Sequence, residues 1–398
     1  MGGKLGIVKA GDPMASTAPR AAAHRAAERE DPTDWLRLIR SRRVGAVTFH
    51  RLMAEHESAR SALEALPEIA RAAGVEGYAV CPVEVARAEM RAGRLAGARL
   101  LLWGGAGYPA ALMDLPDAPP ILWAVGDCGL LQRPMVAMVG ARNASSLGLR
   151  MARRLAEGLG QGGQVVVSGL ARGIDAAAHE AALDSGTVAV MAGGVDVIYP
   201  EENADLAARI VAKGCLVSEQ PMGLQPQTRH FPLRNRIISG LSRAVVVVEA
   251  AARSGSLITA RDAADQGREV MAVPGHPFDA RAAGCNLLLR DGATLVRHAG
   301  DVAEALGLAA PSMAPVAQPV AEPVAQPLPG PAAARRPLAD IAAVHGQILA
   351  RLGPSPLAED QLIRDLALPA SVLTPALVSL ELEGQITRAP GGLLSRAE

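Results

Sequence analysis

Three short stretches carry residue types that can hold an anion. In Val165-Val-Val-Ser-Gly-Leu-Ala-Arg-Gly-Ile-Asp175 a β-branched run stops at Ser168-Gly169, Arg172-Gly173 follow, and the residues from Asp175 to Leu183 read as helix. A strand, a glycine turn and a helix N-terminus direct unpaired backbone N–H groups and the positive end of a helix dipole at one spot, which suits phosphate. Ser168 and Gly169 allow close backbone approach and Arg172 offers a forked cation. Asp175 fits a helix cap better than a ligand.

The second stretch is Arg229-His-Phe-Pro-Leu-Arg-Asn-Arg236. Between Thr228 and Arg243 there are four arginines and no acidic residue, in a chain where Lys plus Arg and Asp plus Glu both number 40. Phe231 is one of only three phenylalanines, and the sequence places it in a proline-kinked basic loop. A base stacked on its ring, with phosphates held by Arg229, Arg234 and Arg236 beside Asn235, is how single strands are commonly bound, at ~1–3 kcal/mol per stacked base. The alternative makes Phe231 a core plug and the arginines solvated surface, with Arg234 or Arg236 salt-bridged to Glu249 or Glu219. The third stretch, Ser254-Gly255-Ser256, is another small-residue turn before a helix, with N–H and hydroxyl donors. His276 has no nucleophile partner in the sequence, so no catalytic residue is assigned.

Positioning these stretches requires a sheet with all the loops at one edge. Candidate strands at 135–139, 164–167, 187–191, 216–218, 244–248, 269–273 and 294–296 alternate with helical stretches at 146–160, 174–183, 203–212 and 256–266. Short apolar strands alternating with helices mean an α/β unit with a Rossmann-like, doubly wound, mainly parallel sheet, whose ligands sit at the strands' C-terminal ends. Gly140-Ala-Arg-Asn-Ala-Ser-Ser146 is not a dinucleotide fingerprint, and no acidic residue ends the second strand to hold a ribose. No nicotinamide cofactor, and no other cofactor, is expected.

The flanks differ. Residues 1–30 read as a loose tail, and 31–90 as a small helical domain built on Trp35–Ile39, Val44–Met53 and Ser61–Leu66. Arg40-Ser-Arg-Arg43 before Val44-Gly45 leaves a helix-hairpin-helix contact with nucleic-acid backbone open beside a packing or protein-contact role; the glycine-rich hairpin turn is missing. A strand at 121–125 leads into the domain at 100–305 and pairs with the sheet edge. Eight prolines between Pro311 and Pro337 make 306–337 an extended linker. Residues 338–398 show three helical patterns and a small hairpin, winged-helix-like. The presumed recognition helix at 371–383 has no Lys or Arg, which favours a protein-contact or regulatory module over a duplex reader.

Hydrophobic residues at 49% support a core, while aromatics at 2% leave it to Ala, Val, Leu and Ile. Zero formal net charge confines any nucleic-acid contact to a local patch. Four scattered cysteines without a C-x-x-C pair suggest neither disulfides nor a metal site. No run of 18 apolar residues and no signal sequence point to a cytoplasmic protein without membrane contact.

Assembled in order, Val139-Gly-Ala-Arg142, Ser168 to Asp175, Tyr199-Pro200, Ser218-Glu219, Phe231 to Arg236, Ser254 to Ala260 and Val273-Pro-Gly275 resemble the DNA-processing protein A family (DprA, also called Smf) over roughly residues 108–296. The resemblance implies a non-enzymatic protein that binds single-stranded DNA, dimerises through its Rossmann-like domain and loads the RecA recombinase during natural transformation. It also implies a sterile-alpha-motif-like domain in front and a winged-helix domain behind. Carried over by position, the DNA site comprises Ser168, Gly169, Arg172, Gly173, Phe231, Arg234, Asn235 and Arg236, beside Ser254, Gly255 and Ser256. Arg229 stands near the place where members often carry a lysine. The alternative is a nucleoside-monophosphate phosphoribohydrolase on a related fold; the turn at 253–259 lacks the P-G-G-x-G-T pattern of those enzymes.

Overall fold

The computed structural model describes residues 30–308, 338–389 and 392–397. The tail expected at 1–30 lies, up to residue 29, outside the described residues, as does the linker from 309 to 337.

The N-terminal domain starts with α1 (Pro32–Arg40), where proline occupies the first turn and the Asp31 carboxylate accepts from the Thr33 N–H. Then come α2 (Ala46–His56), α3 (Ala59–Ala72) and α4 (Val83–Leu95). The fourth helix is absent from the sequence expectation. Trp35, Leu36, Phe49, Leu52 and Leu63 form its core, which continues into Trp123 and Leu216 of the sheet. Buried Glu89 joins the two domains: it accepts from Arg40 at 2.8 Å and from the Trp123 indole N–H at 2.8 Å. Arg40 also donates to the Glu219 carbonyl.

The central sheet has strands β1 (Arg99–Leu102), β2 (Ile121–Gly126), β3 (Met135–Gly140), β4 (Val165–Ser168), β5 (Thr187–Val190), β6 (Cys215–Ser218), β7 (Ala244–Val248), β8 (Glu269–Ala272) and β9 (Thr294–Leu295). Their order is β1-β2-β6-β5-β4-β3-β7-β8-β9. From β6 to β9 every pairing is parallel; β2 pairs antiparallel with β6, and β1 with β2. The edge pairing expected of the 121–125 strand is present.

One face of β3 and β7, through Val136, Met138, Val246 and Val248, packs on α5 (Ser146–Gln161) and α6 (Ile174–Ala181). The other, through Ala137, Val139, Val245 and Val247, packs on α8 (His230–Leu241) and α9 (Ser256–Asp265). Between α6 and α8, α7 (Ala204–Lys213) covers β5 and β6. Beyond α9 come α10 (Ala283–Arg290) and α11 (Ala299–Ala305). The chain runs outward from β3 through β4 to β6, then returns to the other side of β3 with β7. The loops after β3 and β7 therefore leave in opposite directions and open a crevice between them, the place where this topology receives ligands.

The basic stretch is helix from His230 onward, with Arg229 at the N-cap, not the kinked loop expected. Pro232 falls in the first turn of α8, where its missing N–H has no intrahelical partner to lose. Residues 284–289 belong to α10. The C-terminal domain has α12 (Leu338–Arg351), α13 (Glu359–Leu366) and α14 (Ala370–Leu382) with β10 (Leu357–Ala358), β11 (Ile386–Ala389) and β12 (Leu393–Arg396) in the order β10-β12-β11. Its core centres on Ile348, Leu362, Leu373, Leu377 and Leu394. Among the described residues no helix is long and apolar enough to cross a membrane.

Candidate functional site

A cleft of about 950 Å³ lies in the β3/β7 crevice. Its walls are the loop after β3 (Arg142, Asn143), the first turns of α8 (Phe231, Arg234, Asn235), the turn after β7 (Arg253, Ser254, Gly255, Ser256) and the segment after β8 (Phe278).

The floor is built around Arg234. The side chain lies over Gly169, and its Nη1 donates to the Val190 carbonyl at 2.9 Å. Arg234 is only 6% exposed, its buried Nε–H has no hydrogen-bond partner, and it makes no ion pair among the described residues. Burial pulls its pKa down to about 10, against the attraction of Asp175. Burial likewise raises the Asp175 carboxyl, opposed first by Arg234. Asp175 accepts the Gly169 N–H at 3.1 Å, tying the turn to the start of α6. A buried, incompletely paired guanidinium facing a cleft is costly unless an anion completes it.

The aromatic wall is Phe231, half-buried rather than a core plug. Arg142 covers its ring with the guanidinium carbon 5.5 Å from the centroid, and the Tyr199 ring lies 5.8 Å away at 55°. The exposed Arg142 and Arg253 side chains have no ion pair among the described residues. Phe278 stands 79% exposed at the rim.

A second layer fixes this arrangement. The left-handed Leu170 (φ 54°) donates its N–H to His179 Nε2 at 3.3 Å, and His179 Nδ1 meets Thr187 Oγ1 at 2.7 Å. With Nε2 accepting, the imidazole is neutral with its proton on Nδ1; burial, aided by Arg234, lowers its pKa to about 3. At the opposite wall the Glu249 carboxylate accepts the Ser145 N–H at 2.8 Å and the Ser145 hydroxyl, bracing the end of β7 on the start of α5.

The C-terminal domain sits at the mouth. Arg281 donates to the Ala350 and Leu352 carbonyls at 2.8 and 2.9 Å while Asp279 holds its guanidinium, and Arg351 donates to the Ala144 carbonyl at 3.0 Å. Arg396, exposed at the end of β12, faces the same cleft.

The sequence and the fold have relatives. The family model described as DNA recombination-mediator protein A matches residues 99–307. The chain belongs to that family. The DprA-like N-terminal HHH domain matches residues 29–92 and the DprA winged helix domain residues 331–392. Protein Smf of Escherichia coli is 39% identical over 288 residues, covering 72% of this chain and 74% of that protein. Protein Smf of Synechocystis is 34% identical over 305 residues, covering 71% and 76%. The X-ray structure of DNA processing protein A from Streptococcus pneumoniae superposes with a TM-score of 0.50 at 43% identity, over 52% of this chain and 74% of that one.

The structure brings Phe231, Arg234, Asn235, Ser254, Gly255 and Ser256 together at the cleft. It separates others. Ser168 is fully buried, donating its hydroxyl to the Met138 carbonyl at 2.6 Å, and the Gly169 N–H is used by Asp175. Gly173 (φ 74°) abuts the Ala141 carbonyl, so it shapes the turn. Arg236 corrects the basic-loop reading: its guanidinium binds Glu219 and the Asp117 carbonyl, both at 2.5 Å, leaving a side chain 12% exposed. The pairing with Glu219 that the sequence left open is present. Arg172 faces a neighbouring cavity, paired with Glu202 at 3.2 Å. Arg229 is exposed and turned onto His230.

Sequence reasoning missed Arg142, Arg253 and Phe278. Phe278 had a signal, because every aromatic in a 2% aromatic chain merits inspection. The helix-hairpin-helix description of the N-terminal domain agrees with the domain type left open at 40–45.

Proposed function

We propose that this chain binds single-stranded DNA in the β3/β7 cleft. The observation that carries the reading is the pairing of a buried guanidinium, Arg234, whose Nε–H has no partner and which has no direct ion pair among the described residues, with an aromatic wall in which Arg142 lies over Phe231. A phosphate pairs directly with the cationic floor and wall, and bases stack along the Phe231 and Phe278 side. Stacking tolerates any base, so the site selects unpaired strand over sequence.

The protein acts as a binding mediator, without a chemical step. The carboxylates lining the cleft, Asp175 and Asp279, are engaged by the Gly169 N–H and by Arg281, which leaves neither placed as the free base a nucleoside-monophosphate hydrolase requires. Loading of RecA onto the bound strand, self-association through the Rossmann-like domain, action in natural transformation and a cytoplasmic site belong to the same proposal; family membership supports them.

Fluorescence anisotropy with oligo-dT, with equal-length duplex as competitor, tests the reading. Phe231→Ala and Arg142→Ala are each expected to weaken binding about 5- to 100-fold, the range of one lost stack or cation contact. Affinity falls steeply with salt as counterions are released. A folded wild type without single-strand preference, or one releasing free base from mononucleotides, overturns it.

A further inference from the structure

A second cavity, of about 470 Å³, adjoins the cleft and shares Arg142 and Asn143 with it. Its lining adds Arg153 from α5, Arg172 from the turn after β4 and Arg351 from the end of α12. Two glutamates face these arginines. Glu180 is held from outside by Arg209 at 3.0 Å, which leaves Glu202 as the counter-ion of the cavity.

The cations are available. Arg153 is half-buried and has no hydrogen bond or ion pair among the described residues. The Arg172–Glu202 pair is 61% and 52% exposed, and exposed pairs contribute only ~0–1 kcal/mol, so a phosphate can displace the glutamate. Arg351 spends one Nη1 on the Ala144 carbonyl and keeps its other donors. Arg153 and Arg172 take no part in the apolar packing of α5 and α6 on the sheet, which residues such as Leu149, Ala152 and Leu155 make.

We propose that this cavity is a second phosphate subsite, receiving the phosphodiesters of a strand as it leaves the cleft over Arg142 and Asn143. The inference rests on the single-strand reading and deepens it. The strand is held as a track: bases against Phe231, then backbone along Arg153 and Arg172, with the C-terminal domain adding Arg351 to the far wall. Phosphate is the chemistry recognised. A continuing strand and free phosphate are separated by the length of the ligand.

The test uses the full chain and oligo-dT from about 4 to about 16 nucleotides, the span of known single-strand site sizes. Arg153→Ala is the principal variant, and Arg153→Gln retains the stem if the alanine proves unstable. The wild type gains affinity with length. Both variants are expected to match it on the shortest oligomer and lose about 5- to 20-fold on the longest, with the log–log salt slope reduced by about 0.7 there. Equal loss at every length, no loss on the longest oligomer, or inorganic phosphate displacing short and long oligomers alike at fixed ionic strength overturns the track. Failure of the single-strand reading itself looks different: the wild type then binds no oligomer, or binds all of them indifferently to Phe231→Ala.

Discussion

The Arg234 guanidinium lies so close over Gly169 that a Cβ built there would come within 1.6 Å of Nη1. The glycine is therefore required by the approach of a buried cation to the turn, while its own N–H is committed to Asp175. Gly169→Ala is expected to push Arg234 off the Val190 carbonyl. Overpacking of this kind costs about 1–3 kcal/mol, visible as a lower urea midpoint at unchanged m-value. Loss of oligo-dT affinity larger than the fraction of unfolded protein explains would place Arg234 in the site; unchanged affinity in the folded variant would remove it.

Phe278 gives the complementary case. Its ring is 79% exposed at the rim of the cleft, so truncation removes little packing. Phe278→Ala is expected to leave the melting temperature within about 2 °C, since surface changes stay within about 0.5 kcal/mol. Oligo-dT affinity is expected to drop about 5-fold or more. An affinity equal to wild type would assign the ring to another surface.

What could be read from the sequence follows from locality. The strand–turn–helix at 165–183 and the alternation of strands and helices along the chain are encoded in neighbouring residues, so they emerge as expected. The same locality misleads at Arg236. An acid-free window looks like a free cationic patch, yet Glu219 and Asp117 reach that guanidinium through space. Pro232 misleads by identity: proline argues against helix only beyond the first turn, and here it stands in the first turn of α8. The Arg142–Phe231 contact joins residues 89 positions apart, one in the loop after β3 and one in the first turn of α8, which no spacing pattern displays.

Arg281 anchors the C-terminal domain through the Ala350 and Leu352 carbonyls. Arg281→Ala removes both bonds and leaves Asp279 without its partner. The expected outcome is release of the domain, read as faster protease cleavage between residues 309 and 337 while the Rossmann-like core melts as before. Arg396 would leave the cleft and Arg351 the second cavity with it, so long-oligomer affinity should fall together with the docking. Unchanged cleavage would mean that the other interdomain contacts suffice.

The buried imidazole of His179 sets a limit on acid stability. Its folded pKa lies near 3, well below the ordinary 6.5, because burial and nearby Arg234 disfavour the imidazolium. Below 6.5 the unfolded chain takes up a proton at this position that the folded chain refuses until the pH approaches 3. The stabilisation contributed by the neutral ring is therefore fully present above pH 6.5 and is lost as the pH falls through that window, by up to ~1.4 kcal/mol per pH unit. His179→Gln keeps a side chain able to accept the Leu170 N–H but does not titrate. Urea midpoints measured from pH 7 to pH 4 should fall more steeply for wild type than for the variant, and parallel curves would show that His179 takes up its proton without unfolding. Because His179 holds Leu170 and so the turn beneath Arg234, and the folded ring stays neutral until the pH approaches 3, oligo-dT affinity of the folded wild type should show no His179-dependent change between pH 7 and pH 4.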